Sequence, residues 1–320
     1  MIAALVLLSG CGVGTEGKER IKVAGVFTSS VDEPWAAALH QALEEWEREG
    51  EISYDFTQKV PPASAARIAR EYVERGYKIV FGEAFECEEA MRQAANGLPE
   101  VAFCFGSRLG PSDPNFSVFD SYAHEPAYLS GLLAGKLTKT GTIGAVIGGS
   151  TPGTDRTISA FRRGVKEANP AARVLISRLG KRYDPPAADL AARALLDKEA
   201  DIVFGETYGV FPACRRKRAF ALGNLLDQYS LAPETVVTGP VWDPRPLIET
   251  VLGEVKNKTY RAADLSSCCL MARGGAQLAP YHVFDLKISS EIRESIEEKR
   301  LEIVSGLFRV PLDETVQPSD

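Results

Sequence analysis

The amino-acid sequence predicts an α/β protein made of two similar halves, each an open parallel sheet with helices on both faces. Segments typical of strands and helices alternate along most of the 320 residues, which is the pattern of such sheets. The pentapeptide Ile-Val-Phe-Gly-Glu also occurs twice, at 79–83 and 202–206. Each copy follows a helical run that opens on two prolines, and an aromatic, Phe85 or Tyr208, lies two residues after each Glu. A repeated order of this kind indicates a duplicated unit.

In the first half, apolar β-branched runs predict strands and 3–4 spacing of apolar residues predicts helices. The first helix illustrates the signals. Acids and Pro34 precede it, as suits a helix N-terminus, and Ala38, Leu39, Leu43 and Trp46 fall on one stripe. The predicted strands are 21–27, 52–57, 78–82, 101–105 and 118–120, and the predicted helices are 35–48, 63–75 and 88–95.

The second half repeats this order and the remaining chain completes both halves. Helices are predicted at 124–138, 154–168, 187–198, 212–217, 246–256 and 289–300, and strands at 141–149, 174–177, 201–205, 219–223, 235–238 and 265–271. The last part is too short for a third domain, so we expect it to cross back. Lobe 1 is predicted to contain 21–123 plus about 241–262, and lobe 2 to contain 124–240 plus about 263–320.

The first twenty residues predict an export signal and a tether. Residues 1–11 are apolar and end in Leu-Ser-Gly-Cys, too short to span a bilayer but typical of a signal h-region. The last four residues resemble the bacterial lipobox, in which the cysteine receives lipid. We therefore expect a lipid on Cys11 and an exported protein anchored to the outer face of the cell membrane. The alternative is a core strand with an incidental cysteine.

Several function classes are disfavoured by composition and motifs. A net charge of −6 and a pI near 5.4 argue against a nucleic-acid binder. The three histidines are far apart, so no metal site is expected. The glycines of 141–149 do not have the G-x-G-x-x-G spacing of a dinucleotide site, and Leu137 stands where a phosphate loop needs Ser or Thr. We expect no cofactor and no catalysis, and the five cysteines after Cys11 receive no predicted pairing.

Polar and aromatic residues that follow the predicted strands are the candidate ligand contacts, because ligands of open α/β sheets bind at the carboxyl ends of the strands. Glutamates there can accept hydrogen bonds from a ligand or cap the next helix. Aromatic rings there can stack on a flat ligand or pack in the core. The candidates are Trp35, Glu83, Phe85, Asp120, Glu206, Tyr208, Asn224, Trp242 and Asp243.

Residues 128–144, YLSGLLAGKLTKTGTIG, resemble a run typical of the basic membrane protein family of substrate-binding lipoproteins. Residues 223–228, GNLLDQ, resemble the family's G-x-D-x-D-Q loop, with Asn224 taken at the Asp position. The resemblance implies a monomer with the type I periplasmic-binding-protein fold, two Rossmann-like lobes joined by a multi-strand hinge. It also implies a purine nucleoside or base as ligand and an ABC permease with its ATPase as partners. By position, Trp35, Phe85, Asp120, Asn224 and Trp242 would line the cleft, with Glu83 and 206–208 nearby.

Two departures from the family pattern concern groups expected to hold ribose. The loop 29–35 lacks the N-D-x-S/G-F-N pattern, and the usual lysine is replaced near Trp242 and Asp243. Both favour a free nucleobase as ligand. Three alternatives stay open: a sugar-binding lipoprotein of the same fold, a ligand-sensing surface receptor, and a nucleotide-dependent enzyme, which the missing phosphate loop and the export signal disfavour.

Overall fold

The computed structural model describes residues 20–320, so Cys11 and the predicted signal lie outside the described residues. The first lobe is built on a parallel sheet in the order β2-β1-β3-β4-β5. Its strands are β1 (Ile21–Val26), β2 (Ile52–Thr57), β3 (Ile79–Glu83), β4 (Ala102–Gly106) and β5 (Phe116–Phe119), and its helices are α1 (Pro34–Arg48), α2 (Pro62–Glu74) and α3 (Glu88–Asn96). The apolar strand residues are buried between the helices on the two faces.

The second lobe repeats this arrangement. Its elements are α4 (His124–Leu137), β6 (Thr142–Ile147), α5 (Pro152–Ala168), β7 (Arg173–Arg178), α6 (Pro185–Leu196), β8 (Ile202–Gly205), α7 (Phe211–Lys217), β9 (Phe220–Leu222) and β10 (Val236–Thr238). The strand order is β7-β6-β8-β9-β10, the same sequence of positions as in the first sheet. Ile79 pairs with Val23 and Ile202 pairs with Ile143, so the two copies of the pentapeptide occupy equivalent central strands.

The remaining chain returns to both lobes. Strands β11 (Pro240–Trp242) and β12 (Ala276–Leu278) form an antiparallel pair. Helix α8 (Arg245–Lys256) packs on the first lobe through Leu247 and Val251, whereas α9 (Ser290–Val304) packs on the second. Leu265 and Cys269 also belong to the core of the first lobe. We therefore propose that the final crossing lies near residue 270 rather than near 262.

The predicted strand at 265–271 is wrong. Residues 266–269 and 271–273 form single 3-10 turns. The backbone folds back here because Gly274 has φ +77° and a Cβ at Gly275 would lie 1.9 Å from the carbonyl oxygen of Cys268. The apolar residues are thus buried by a turn and not by a strand.

Helices α4 and α5 touch backbone to backbone. A Cβ at Gly131 would lie 2.0 Å from the carbonyl oxygen of Phe161, and one at Gly164 would lie 2.1 Å from that of Tyr128. Only glycine permits so close an approach. The contact fixes α5 beside the crossing between the lobes, and the first turns of α5 carry residues of the site described below.

Among residues 20–320, no helix is long and apolar enough to cross a membrane. The five cysteines of this range are buried and unpaired, which is the behaviour of small apolar side chains. Burial raises the pKa of the Cys104 thiol to about 12, so this group stays protonated near neutral pH.

Candidate ligand-binding site

A cavity of about 310 Å³ lies between the lobes and is lined by residues that follow strands of both sheets. Parallel strands bring their carboxyl ends to one edge of each sheet, and the two edges face each other across this space. Sites for small ligands generally have volumes of roughly 300–1,000 Å³. Five of the nine candidates line the cavity, namely Trp35, Phe85, Asp120, Glu206 and Asn224.

The aromatic wall is centred on Trp35, near the start of α1. Its ring is parallel to Phe119 with centroids 5.8 Å apart, and the ring of Phe85 meets it edge-on at 5.6 Å. Gly106 makes room for it, because a Cβ there would lie 2.6 Å from the indole. The half-buried indole is therefore held in position by its neighbours and contributes part of its apolar surface to the cavity wall.

Trp242 and Asp243 lie outside the lining, contrary to the expectation that they contact ligand. Trp242 is 1% exposed and packs behind Trp35, with ring centroids 5.2 Å apart, because the pairing of β11 with β12 turns it into the first core. Asp243 accepts a hydrogen bond from the backbone N–H of Arg245, 2.9 Å away, at the start of α8. Burial raises the pKa of Asp243.

Asp120 is held by three donors. Its Oδ1 accepts from the backbone N–H of Ser121 at 2.7 Å and from Trp35 Nε1 at 3.3 Å, and its Oδ2 accepts from Arg156 at 2.8 Å. Arg156 comes from α5 of the second lobe, so this ion pair crosses the cavity. Arg156 was not among the residues predicted from the sequence. A signal was available, because a cation in the first turns of a helix is unfavourable unless an acid compensates it.

Glu83 lies behind the cavity wall and is 1% exposed. Its Oε1 accepts from Thr28 Oγ1 at 3.0 Å, from the backbone N–H of Ser29 at 2.6 Å and from Ser29 Oγ. Its Oε2 accepts from Arg182 of the second lobe at 3.1 Å. This buried carboxylate is fully paired, as burial requires. It shapes the loop after β1 and forms a second contact between the lobes.

Glu206, its twin in the second lobe, lies in the wall itself. Its Oε2 accepts from the backbone N–H of Gly148 at 3.0 Å, and its Oε1 accepts a long bond of 3.4 Å from Thr154 Oγ1. Burial raises the pKa of Glu206, and the Gly148 N–H opposes that rise. Tyr208 lies outside the lining, with its ring edge-on to Tyr183 at 6.2 Å.

Asn224 adds an acceptor beside Glu206. Its Nδ2 donates to the backbone carbonyl of Glu206 at 3.1 Å, and its buried Oδ1 has no protein partner. Leu225, next in the wall, has φ +64° and packs into the core of the first lobe. Matched position by position to G-x-D-x-D-Q, Leu225 and not Asn224 stands at the first Asp. The placement of Asn224 at the Asp position of this motif is therefore wrong by one residue.

The family follows from comparison with known proteins. A family model described as ABC transporter substrate-binding protein PnrA-like matches residues 21–265. The chain belongs to this family. PnrA-like proteins are substrate-binding proteins of ABC transporters and not enzymes, which implies a small-molecule ligand and a permease with its ATPase as partners. Among residues 20–320 no group of acids, histidines or cysteines could hold a metal ion.

Two named relatives and one solved structure are similar to this chain over most of its length. A purine-binding protein of Brucella abortus is 24% identical over 312 residues, covering 96% of this PnrA-like chain and 87% of the relative. A Haloferax volcanii protein, provisionally named an ABC transporter glucose-binding protein, is 26% identical over 238 residues, covering 72% of this chain and 60% of that one. An ABC transporter solute-binding protein from Conexibacter woesei has a TM-score of 0.75 at 23% identity, covering 91% and 98%. The fold is the type I periplasmic-binding-protein fold.

Proposed function

We propose that this PnrA-like protein binds a purine nucleobase or nucleoside in the interlobe cavity and delivers it to an ABC importer. The observation that carries the proposal is the placement of a flat indole, Trp35, in a cavity to which the other lobe contributes the acceptors of Glu206 and Asn224. A purine has a flat ring for the first and N–H donors for the second. The purine-binding relative from Brucella abortus supports the same ligand class.

The acceptors that the protein leaves without a full set of donors indicate where the N–H groups of the ligand bind. A carboxylate has about four lone-pair sites, and the protein occupies two of those of Glu206. The Oδ1 of Asn224 is free as well. Asp120 has less to offer, since three protein donors already bond to it. We therefore expect Glu206 and Asn224 to read the N–H groups of the base, with Asp120 accepting at most one further bond.

The charge of the wall disfavours phosphorylated ligands. Its acids outnumber its bases: Glu33, Asp120, Glu206, Asp264 and Glu314 against Arg108, Arg156 and Arg182. The last two arginines are already paired with acids. A free base or nucleoside is accordingly favoured over a nucleotide. The preference for a base over a nucleoside rests on two features: the loop 29–35 lacks the family pattern, and Leu225 places an apolar side chain where the family motif has an Asp. Trp242 and Asp243 no longer support this preference, because they lie outside the wall.

Closure of the two lobes around the ligand completes the proposed mechanism. The pairs Arg156–Asp120 and Arg182–Glu83 each join one lobe to the other, with N···O distances of 2.8 and 3.1 Å. Hinged closure of this kind is a known response of two-lobed binding proteins. We propose that these pairs form as the lobes close, which sets the base between Trp35 and the acceptors of the second lobe.

A binding experiment tests the ligand class. We would measure melting temperatures and calorimetric affinities with adenine, guanine, hypoxanthine, their nucleosides, AMP and glucose. A ligand at 100 times its Kd stabilises the folded protein by about 2.7 kcal/mol. We expect a purine base or nucleoside to bind and AMP and glucose not to. Binding of glucose without any purine would instead support the sugar-binding function that the Haloferax volcanii relative suggests.

Trp35→Ala tests the stacking wall. Loss of stacking worth about 1–3 kcal/mol per base should weaken purine binding by roughly 5- to 150-fold. Trp46→Ala is the matched control, because Trp46 lies on the same helix, faces Arg245 and is outside the cavity. Equal affinities of the Trp35 variant and the wild type would show that the indole is not a ligand contact.

We also propose that lipid on Cys11 anchors the protein outside the cell membrane. Labelling with a tagged fatty acid in a bacterial host should mark the wild type and not Cys11→Ser. The Cys11→Ser protein should leave the membrane fraction. Labelling of both proteins would contradict the lipobox assignment.

A further inference from the structure

The segment after α9, residues 309–320, runs along the second lobe and is attached to it throughout. Val310 is buried in the core of that lobe. The polar attachments include Ser159 to Asp313 at 3.0 Å, Arg178 to the Gln317 carbonyl at 3.2 Å, and the backbone N–H groups of Ile176 and Val174 to Ser319 and Asp320, each at 3.0 Å. This tail lies beyond residues 21–265, which match the family model.

Glu314, in the middle of the tail, lies in the cavity wall. Its Oε1 accepts a hydrogen bond of 2.6 Å from Arg156 Nη1. The side chain of Glu314 is 48% exposed, whereas that of Arg156 is 4% exposed. Arg156 also lies over the ring of Tyr122, 4.1 Å from its centroid, at the crossing between the lobes.

These contacts form a polar chain from the tail to the stacking ring. Glu314 accepts from Arg156, Arg156 donates to Asp120, and Asp120 accepts from Trp35 Nε1 at 3.3 Å. The first two residues belong to the second lobe and the last two to the first. The tail thereby reaches the opposite wall of the cavity without contacting that wall itself.

The buried charge of Arg156 explains why Glu314 matters in this chain of contacts. A buried guanidinium is stable only when acids satisfy it, and the Nε of Arg156 already has no partner. Without Glu314, Nη1 would lose its acceptor as well. Arg156 could then regain hydrogen bonds only by turning toward the water that enters at the vacated place. That movement would release Asp120 and, with it, the hydrogen bond that orients Trp35.

We propose that Glu314 is a positioning residue of the ligand site: it fixes Arg156 so that Arg156 neutralises Asp120 and Asp120 holds the indole of Trp35. Only the ligand measurement below depends on the proposed function. Glu314 contacts no stacking group itself, so its effect must pass through Arg156 and Asp120. Removal of Glu314 should therefore change the environment of Trp35, although the two residues lie in different lobes.

The experiment compares Glu314→Ala and Glu314→Gln with Asp313→Asn. Asp313 is an acid of the same tail that accepts from Ser159, Thr315 and Gln317 and not from Arg156. The ligand-free measurement is the near-ultraviolet circular dichroism of Trp35, isolated by subtracting spectra recorded in a Trp35→Phe background. We expect Glu314→Ala to change this signal and Asp313→Asn to leave it unchanged, whereas Glu314→Gln should change it less, because its amide oxygen can still accept from Arg156 Nη1. The affinity for adenine or adenosine should fall roughly tenfold in Glu314→Ala, the scale of coupling within one hydrogen-bond network.

A double-mutant cycle with Asp120→Asn decides between positioning and a general loss of structure. If the path runs through Asp120, Glu314→Ala should have little further effect on the Trp35 signal in that background. Additive effects, or an unchanged signal in Glu314→Ala, would overturn the proposal. If the wild type binds neither adenine nor adenosine, the proposed ligand is wrong, while the spectra still decide the role of Glu314.

Discussion

Replacing Glu206 with Gln is expected to stabilise the empty protein and to weaken ligand binding. The folded protein disfavours the charged carboxylate, because burial raises the pKa of Glu206 above its ordinary 4.5. An acid whose pKa is raised by folding gives its full stabilisation of the folded state at pH values below its pKa in the unfolded protein. That stabilisation is lost as the pH rises through its pKa in the folded protein. The variant avoids this loss. It should be more stable than the wild type at pH 7, and the difference should disappear below about pH 4.5.

The effect on affinity follows from the hydrogen bonds of the carboxylate. In the variant, the amide oxygen would stay with the Gly148 N–H, which lies 3.0 Å from the present carboxylate. The amide NH₂ would then replace an acceptor at the cavity with a donor. A hydrogen bond to a charged group contributes about 1.5–3 kcal/mol, so binding of a purine should weaken by roughly 10- to 140-fold.

Chemical denaturation of the empty protein between pH 4 and 8, together with calorimetric titration of whichever purine binds best, would measure both effects. Thr207→Ser, a conservative change at the neighbouring residue, serves as the control for disturbance of the loop. A variant that is less stable than the wild type at pH 7 would refute the role assigned to burial. Unchanged affinity would refute the assignment of Glu206 as the acceptor for the ligand.

Three further predictions concern the scaffold. Burial first, and then Arg156, lower the pKa of His124 from 6.5 to about 4. Because the folded protein disfavours the charged imidazole, this histidine should lower the free energy of unfolding by about 3 kcal/mol as the pH falls from 6.5 to 4. Denaturation measured over this pH range should show a smaller loss in His124→Asn. Gly164→Ala would favour an isolated helix by about 1 kcal/mol, but its methyl would lie 2.1 Å from the Tyr128 carbonyl oxygen, so thermal melting should reveal a net destabilisation. Trp242→Phe should lower the free energy of unfolding by about 1–3 kcal/mol and change purine affinity less than threefold in calorimetry, because Trp242 lies in the core. A large loss of affinity would contradict the placement of Trp242 outside the cavity wall.

The order of strands and helices was predictable because it depends on local patterns. Apolar runs, helical stripes and proline starts recur along the chain, and the repeated pentapeptide marks β3 and β8 as equivalent strands. The error at 265–271 shows where this reasoning fails. Those residues are apolar and buried, as a strand would be, but a close glycine contact with Cys268 decides the backbone.

The site was predictable only in part, because its polar contacts join distant residues. The sequence separations are 36 residues for Asp120 and Arg156, 99 for Glu83 and Arg182, and 158 for Arg156 and Glu314. A position after a strand identified Asp120 and Glu206 among the acids of the cavity wall, but not Glu314 and not the arginines that pair with the acids. Trp242 was misplaced for a similar reason, since its orientation depends on the pairing of β11 with β12.

The return of α8 to the first lobe has a consequence for synthesis on the ribosome. Arg245 of α8 bonds to Glu45 and Glu49 of α1 across separations of 200 and 196 residues. Contacts this far apart in the chain slow folding, because a long loop must close before they form. The N-terminal half therefore emerges with an unfinished core, and its apolar surface stays uncovered until Leu247 and Val251 have been translated.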